Sequence, residues 1–114
     1  MDRRIELIIE TMEADVTPVW DTRYFAELVN LSPSRLRHLF KEETGQSVRQ
    51  YLKRLKLKQA EVLLHDTFLS VKEIASAIGF GSVSHFVREF KREFTLAPNH
   101  YRRAWRRTSQ RPKA

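Results

Sequence analysis

Arg37 and Arg88 each sit in a short segment with a regular apolar stripe. Around Arg37 the stripe is Leu36, Leu39 and Phe40; around Arg88 it is Phe86, Phe90 and Phe94. Spacings of three and four residues place a stripe on one side of a helix. Ser34, Arg35, Arg37, His38 and Lys41 are then left outside the first segment, and Val83, Ser84, Val87, Arg88 and Lys91 outside the second. An exposed guanidinium can grip O6 and N7 of guanine with two hydrogen bonds, and a valine can meet a thymine methyl. His38 follows Arg37 and can donate to an acceptor, while Ser84 discriminates weakly. The chemistry on offer is hydrogen-bonded readout, with no bond made or broken. The competing readings are a solvated basic face for Arg37 and ordinary packing for the two valines.

A second set of residues could hold phosphate oxygens without choosing sequence. They are Lys41, Ser47, Arg49, Arg54, Lys56, Ser70, Lys72, Lys91, Arg92, Arg102 and Arg103. Ser47 and Ser70 stand at helix starts, where free backbone N–H groups suit an anion. Lys53 and Lys58 fit a solvated face better.

Helices must position these groups. Ile5, Leu7, Ile8, Ile9 and Met12 face away from Glu6, Glu10 and Glu13, which predicts an amphipathic helix over 3–14. Thr17-Pro18 breaks it. Asp21 caps a second helix, 22–29, and Asn30 ends it. Ser32-Pro33 opens a third, 33–43, closed by Gly45. Ser47 and Gln50 form a capping box for a long helix over 48–65 with the stripe Val48, Tyr51, Leu52, Leu55, Ala60, Leu63 and Leu64. Ser70 and Glu73 box a fifth helix, 71–78, stopped by Gly79. Ser82 caps a sixth, 83–94, and Pro98 starts a seventh, 98–107. No stretch keeps a period of two long enough for a strand.

The pattern is doubled. Phe40 pairs with Phe90, Lys41 with Lys91, Glu43 with Glu93, Ser34 with Ser84 and Tyr51 with Tyr101, all at an offset of fifty. Upstream the offset is forty-nine: Ala26 with Ala75, Val29 with Ile78, Leu31 with Phe80. One residue has entered the second turn. The repeated unit is helix, turn of three or four residues, capped helix, the outline of a helix-turn-helix. The expected fold is therefore all-α: seven helices, with two helix-turn-helix subdomains joined by a long linker helix. The expected boundaries are 1–46 for the first subdomain, 47–66 for the linker, 67–107 for the second and 108–114 for a disordered basic tail. A linker of roughly 18 residues spans roughly 27 Å. That could set two recognition helices about one duplex turn, roughly 34 Å, apart.

Composition narrows the partner. The 114 residues carry a formal charge of +7 and no cysteine. Residues 1–30 hold three basic and seven acidic side chains, net −4; residues 47–114 hold fifteen and five, net +10. A polyanion is the expected partner. Without cysteine there is no disulfide framework, thiol nucleophile or cysteine metal site. No apolar run approaches a membrane span, and no helix combines a basic polar face with an exposed apolar one, so a membrane is not an expected partner.

The run Ile74 to Phe94, with Gly79-Phe80, Ser82, Phe86, Arg88 and Phe90-Lys91, then Pro98 and Tyr101-Arg102, resembles the C-terminal signature of the AraC/XylS family of bacterial transcription regulators. Phe25-Ala26-Glu27-Leu28, Leu31-Ser32, Leu36, Phe40-Lys41, Thr44-Gly45 and Tyr51-Leu52 match in the first half. The resemblance covers roughly residues 5–105. It implies a two-lobed DNA-binding domain that acts at promoters in the bacterial cytoplasm, associated with the nucleoid, and that contacts RNA polymerase. It implies base reading by Ser34, Arg37 and His38. Family members often carry a separate effector or dimerisation domain before this one, and none lies within these residues. Two positions depart from the family pattern. Thr95 stands where a glycine is usual, and Ala97 where a serine or threonine caps the last helix. A β-branched residue resists positive φ, so the sixth helix is expected to end differently from the third.

Catalysis has little to stand on. His38, His65, His85 and His100 form no ligand spacing with one another, the three glycines are scattered, and the serines sit at caps and turns. No cofactor, metal site or catalytic residue is expected. The carboxylates read as exposed helix-face residues, and Trp20, Tyr51, Trp105 and the seven phenylalanines as core. The expected function is sequence-specific binding of double-stranded DNA by two recognition helices in successive major grooves. The alternative is a protein-interaction helical module whose acidic first helix docks a partner.

Overall fold

The structure, a computed structural model, describes residues 1–18 and 20–109. Its elements are α1 (Arg3–Ala14), α2 (Thr22–Leu28), α3 (Pro33–Thr44), α4 (Val48–Asp66), α5 (Val71–Ala77), α6 (Val83–Phe94) and α7 (Pro98–Ser109). The described residues are all-helical, and every helix lies where the sequence places it, to within two residues. α7 runs two residues past its expected end; residues 110–114 of the expected tail lie outside the described residues.

The chain forms two compact units, Met1–Lys56 and Leu57–Ala114, and α4 crosses from one to the other. In the first unit Ile5, Ile8, Met12, Phe25, Ala26, Leu36, Phe40, Val48 and Leu52 make the core. In the second it is Leu57, Ala60, Leu64, Ile74, Ala75, Ile78, Phe86 and Phe90. Leu57 is fully buried although it falls outside the stripe read from the sequence. The reason is that α4 serves two cores, so its buried positions do not keep one stripe.

The two turns repeat to the level of single bonds. After α2, Asn30 takes φ 58° and the Leu31 N–H donates to Ala26 O at 2.9 Å. After α5, Gly79 takes φ 80° and the Phe80 N–H donates to Ala75 O at 2.9 Å. Asn30 N–H to Glu27 O and Gly79 N–H to Ser76 O complete the pairs, at 3.2 and 3.1 Å. Each is a Schellman closure, which satisfies the last carbonyls of the helix and reverses the chain. Ring packing repeats as well. Phe40 meets Tyr51 edge-on at 5.5 Å, and Phe90 meets Tyr101 edge-on at 5.4 Å.

One expectation is overturned at the end of α6. Thr95 adopts φ 69° and closes the helix as Gly45 closes α3. Packing on either side fixes the chain path. Phe94 lies 4.5 Å from Phe90 and 5.7 Å from Tyr101, ring to ring, and Pro98 is buried.

Candidate nucleic-acid interface

In the first unit, Ser32 builds the start of α3. Its Oγ accepts the Arg35 N–H at 3.2 Å, and Pro33 occupies the first turn, where a missing N–H does no harm. Leu36 and Phe40 are fully buried, which fixes the rotation of the helix about its axis. Ser34, Arg35, Arg37, His38 and Lys41 all emerge exposed. At the start of α4, the Ser47 N–H donates to Gln50 Oε1 at 3.0 Å and the Gln50 N–H to Ser47 Oγ at 3.1 Å. Ser47 keeps its hydroxyl proton for another acceptor. Arg49 and Arg54 are exposed, whereas Lys56 is half-buried and burial lowers its ammonium pKa.

In the second unit, Ser82 Oγ accepts the His85 N–H at 3.2 Å to start α6. Phe86 and Phe90 are fully buried. Val83, Ser84, Arg88, Lys91 and Arg92 are exposed; Val87 is half-buried and packs on the core. Packing thus claims part of Val87, in line with ordinary packing as the competing expectation for the valines. Ser70 and Glu73 cap α5 reciprocally at 2.9 and 3.1 Å, with Lys72 exposed beside them. Hydrogen bonds from Ser70, its backbone N–H first, hold the Glu73 carboxyl below its usual pKa.

Arg102 has a structural role, and two expectations need correction. Arg102 is turned inward: its Nε donates to Leu64 O at 3.2 Å and its Nη2 to Thr67 O at 3.4 Å. It caps the end of α4, where a cation also suits the helix dipole, so only its Nη1 has no bond there. Glu89 is not an exposed carboxylate but 8% exposed, with Arg92 Nη1 at 3.4 Å and His85 Nε2 at 3.6 Å. Phe68 is not core: it is 90% exposed, with the Arg106 guanidinium 5.0 Å from its ring centre. Trp105 is also partly exposed and stacks on His65 at 4.2 Å.

The repeat also brings His85 to the outer face of α6. It stands fifty residues after Arg35, is exposed, and occupies the same turn of its helix.

Among the described residues no group of three His, Asp or Glu side chains could hold a metal ion, and no helix is long and apolar enough to cross a membrane. What each unit presents instead is a capped second helix after a reversing turn, with a polar and basic outer face. That arrangement defines the helix-turn-helix class, and the family model described as a helix-turn-helix domain matches residues 25–104.

The chain is 30% identical over 101 residues to the HTH-type transcriptional activator RhaR of Cronobacter sakazakii, covering 89% of this chain and 36% of RhaR. A solved transcriptional regulator with an AraC-type DNA-binding domain, from Chromobacterium violaceum, superposes with TM-score 0.83 at 30% identity, over 88% of this chain and 89% of that one. The DNA-binding domain of AdpA, solved with a target DNA, gives TM-score 0.83 at 27% identity, over 100% of both chains. This chain belongs to the AraC/XylS family of helix-turn-helix transcription regulators. It spans about a third of the length of the curated relatives it matches.

Proposed function

We propose that this chain binds double-stranded DNA at specific sequences and regulates transcription, with α3 and α6 entering successive major grooves. The observation that carries the reading is the pair of exposed helix faces bearing Arg37 and Arg88, each behind an equivalent capped turn. In the first unit Arg37 and His38 read base edges, with Ser34 and Arg35 beside them. In the second, Arg88 is the one strong reader among the expected contacts, while Val83, Ser84 and the exposed part of Val87 meet methyl groups or tolerate several bases. The first unit therefore discriminates more than the second. Lys41, Ser47, Arg49, Arg54, Lys56, Ser70, Lys72, Lys91, Arg92 and Arg103 hold phosphates and set register.

The remaining roles rest on family membership. The chain acts in the bacterial cytoplasm at promoters, beside RNA polymerase, and is not an enzyme. A salt titration tests the core of the reading. Affinity for a selected duplex should fall steeply between 50 and 200 mM salt, as release of counterions from about 6–10 neutralised phosphates requires. A scrambled duplex should bind about a thousandfold more weakly. Salt-insensitive binding, or equal affinity for both duplexes, would contradict it.

A further inference from the structure

The first unit holds a cleft that the outward readers of α3 do not account for. It has a volume of about 300 Å³ and is lined by Arg4, Leu31, Arg35, His38, Leu39 and Glu42. The half-buried Leu31 and Leu39 supply its apolar wall. Arg35 and His38 belong to the face of α3 already described. Arg4 comes from α1, a helix to which no DNA contact has been assigned.

Asp2 holds Arg4 in a fixed pose. Its Oδ1 accepts the Arg4 N–H at 2.8 Å, capping α1, and also Arg4 Nε at 3.2 Å. Its Oδ2 accepts Arg4 Nη2 at 2.9 Å. A guanidinium offers five donors in a rigid fork, so this brace fixes its plane and leaves Nη1 for another acceptor. The Arg4 side chain, first among the causes, holds the Asp2 carboxyl at about 2, so the brace persists at neutral pH.

Charge decides where an anion settles. Asp2 neutralises Arg4, which leaves Arg35 at one end of the α3 wall and Glu42 at the other. Seven residues of helix separate them by about 10 Å. An anion in the cleft therefore belongs with the cationic lining, Arg4 and Arg35, and away from Glu42. A DNA phosphodiester carries one charge and two free oxygens, which suits two guanidinium donors.

We propose that Arg4 and Arg35 jointly grip one phosphodiester of the duplex at the edge of the groove that α3 enters. This rests on the DNA-binding reading above. The phosphate fixes how α3 sits on the duplex and carries no sequence information, so Arg35 anchors the backbone in place of the base contact expected of it.

The test uses the full chain, with affinities for a selected and a scrambled duplex measured across 50–200 mM salt. Arg4→Ala should weaken both by the same factor, about fivefold for an exposed ion pair at the top of its range. The slope of log affinity against log salt should fall by about 0.9 in the double variant with Arg35→Ala, which leaves that phosphate without a cation. Because the two arginines share one phosphate, Arg4→Ala with Arg35→Ala should lose less on scrambled duplex than the product of the single losses. An unchanged affinity for Arg4→Ala, with helix content intact by circular dichroism, overturns the proposal. So does a full product in the double variant.

Inorganic phosphate at constant ionic strength separates the two sources of this chemistry. The duplex assignment expects phosphate to displace DNA no better than chloride. Phosphate-specific displacement that Arg4→Ala abolishes would assign the cleft to a free ion and overturn the proposal. If the unaltered chain shows no preference for the selected duplex, the broader DNA-binding reading fails. If it does and Arg4→Ala changes nothing, only the present inference fails.

Discussion

Gly45 and Thr95 hold the same backbone conformation, φ 75° and 69°, and each donates its N–H to the carbonyl four residues back, Lys41 O and Lys91 O, at 2.8 Å. Glycine takes this conformation without strain, whereas a β-branched residue does not. Thr95→Gly should therefore stabilise the second unit by about 1 kcal/mol, the strain relieved less the entropy that glycine adds to the unfolded chain. The reciprocal Gly45→Thr should destabilise the first unit by a similar amount. A Cβ at Gly45 would meet nothing within 4 Å, so its cost is conformational alone. Urea unfolding of both variants checks the pair; a Thr95→Gly variant no more stable than the parent would show that the site is unstrained.

Arg102 separates a structural from a DNA-binding role. Arg102→Ala leaves Leu64 O and Thr67 O without their guanidinium donor. It should lower stability by about 1–2 kcal/mol, the cost of unpaired acceptors. The salt slope of DNA binding should stay where it was. A slope reduced by about 0.9 in a variant of unchanged stability would mean that Arg102 meets a phosphate after all.

The Tyr101 hydroxyl donates to Glu61 Oε2. Burial first, then Glu61, pushes the phenol from 10.0 up to about 12. Below pH 10 the phenol is protonated in both folded and unfolded chains, and its contribution is complete. Between about 10 and 12 the unfolded chain gives up the proton first, so stability falls as pH rises. The difference in stability between the parent and Tyr101→Phe should shrink over that window. Parallel pH profiles would show that the bond does not couple to folding.

Readers and anchors should part under mutation. Arg37→Ala should cost about 1–3 kcal/mol on the selected site and relax preference at that base pair. Lys72→Ala, beside the capped start of α5, should weaken selected and scrambled duplex alike. Equal losses for Arg37→Ala on both duplexes would remove it from the readers.

Much of this fold is written in local signals. Asp21, Ser32, Ser70 with Glu73, and Ser82 each announce a helix start by bonds spanning three residues, and the structure uses all of them. What the sequence hid depends on tertiary context. Leu57 escaped because α4 changes its buried stripe between cores. Arg102 stands fifty residues after buried Leu52, and that equivalence, more than its charge, foretold an inward side chain. Glu89 is buried on α6 with Arg92 and His85 beside it, a placement its charge alone does not announce. Thr95 looked unable to end α6, yet Phe94 and Pro98 hold the chain there. Arg4 gave no sign of joining α3, since its place depends on how α1 packs.

Selection of binding sites from random duplex DNA tests the central claim most directly. Two blocks of preferred sequence should emerge with centres about 10 base pairs apart, one helical turn. Repeating the selection with Arg37→Ala should erase preference in the stronger block, and with Arg88→Ala in the weaker one. A single block, or two blocks that both survive the two substitutions, would contradict recognition by α3 and α6.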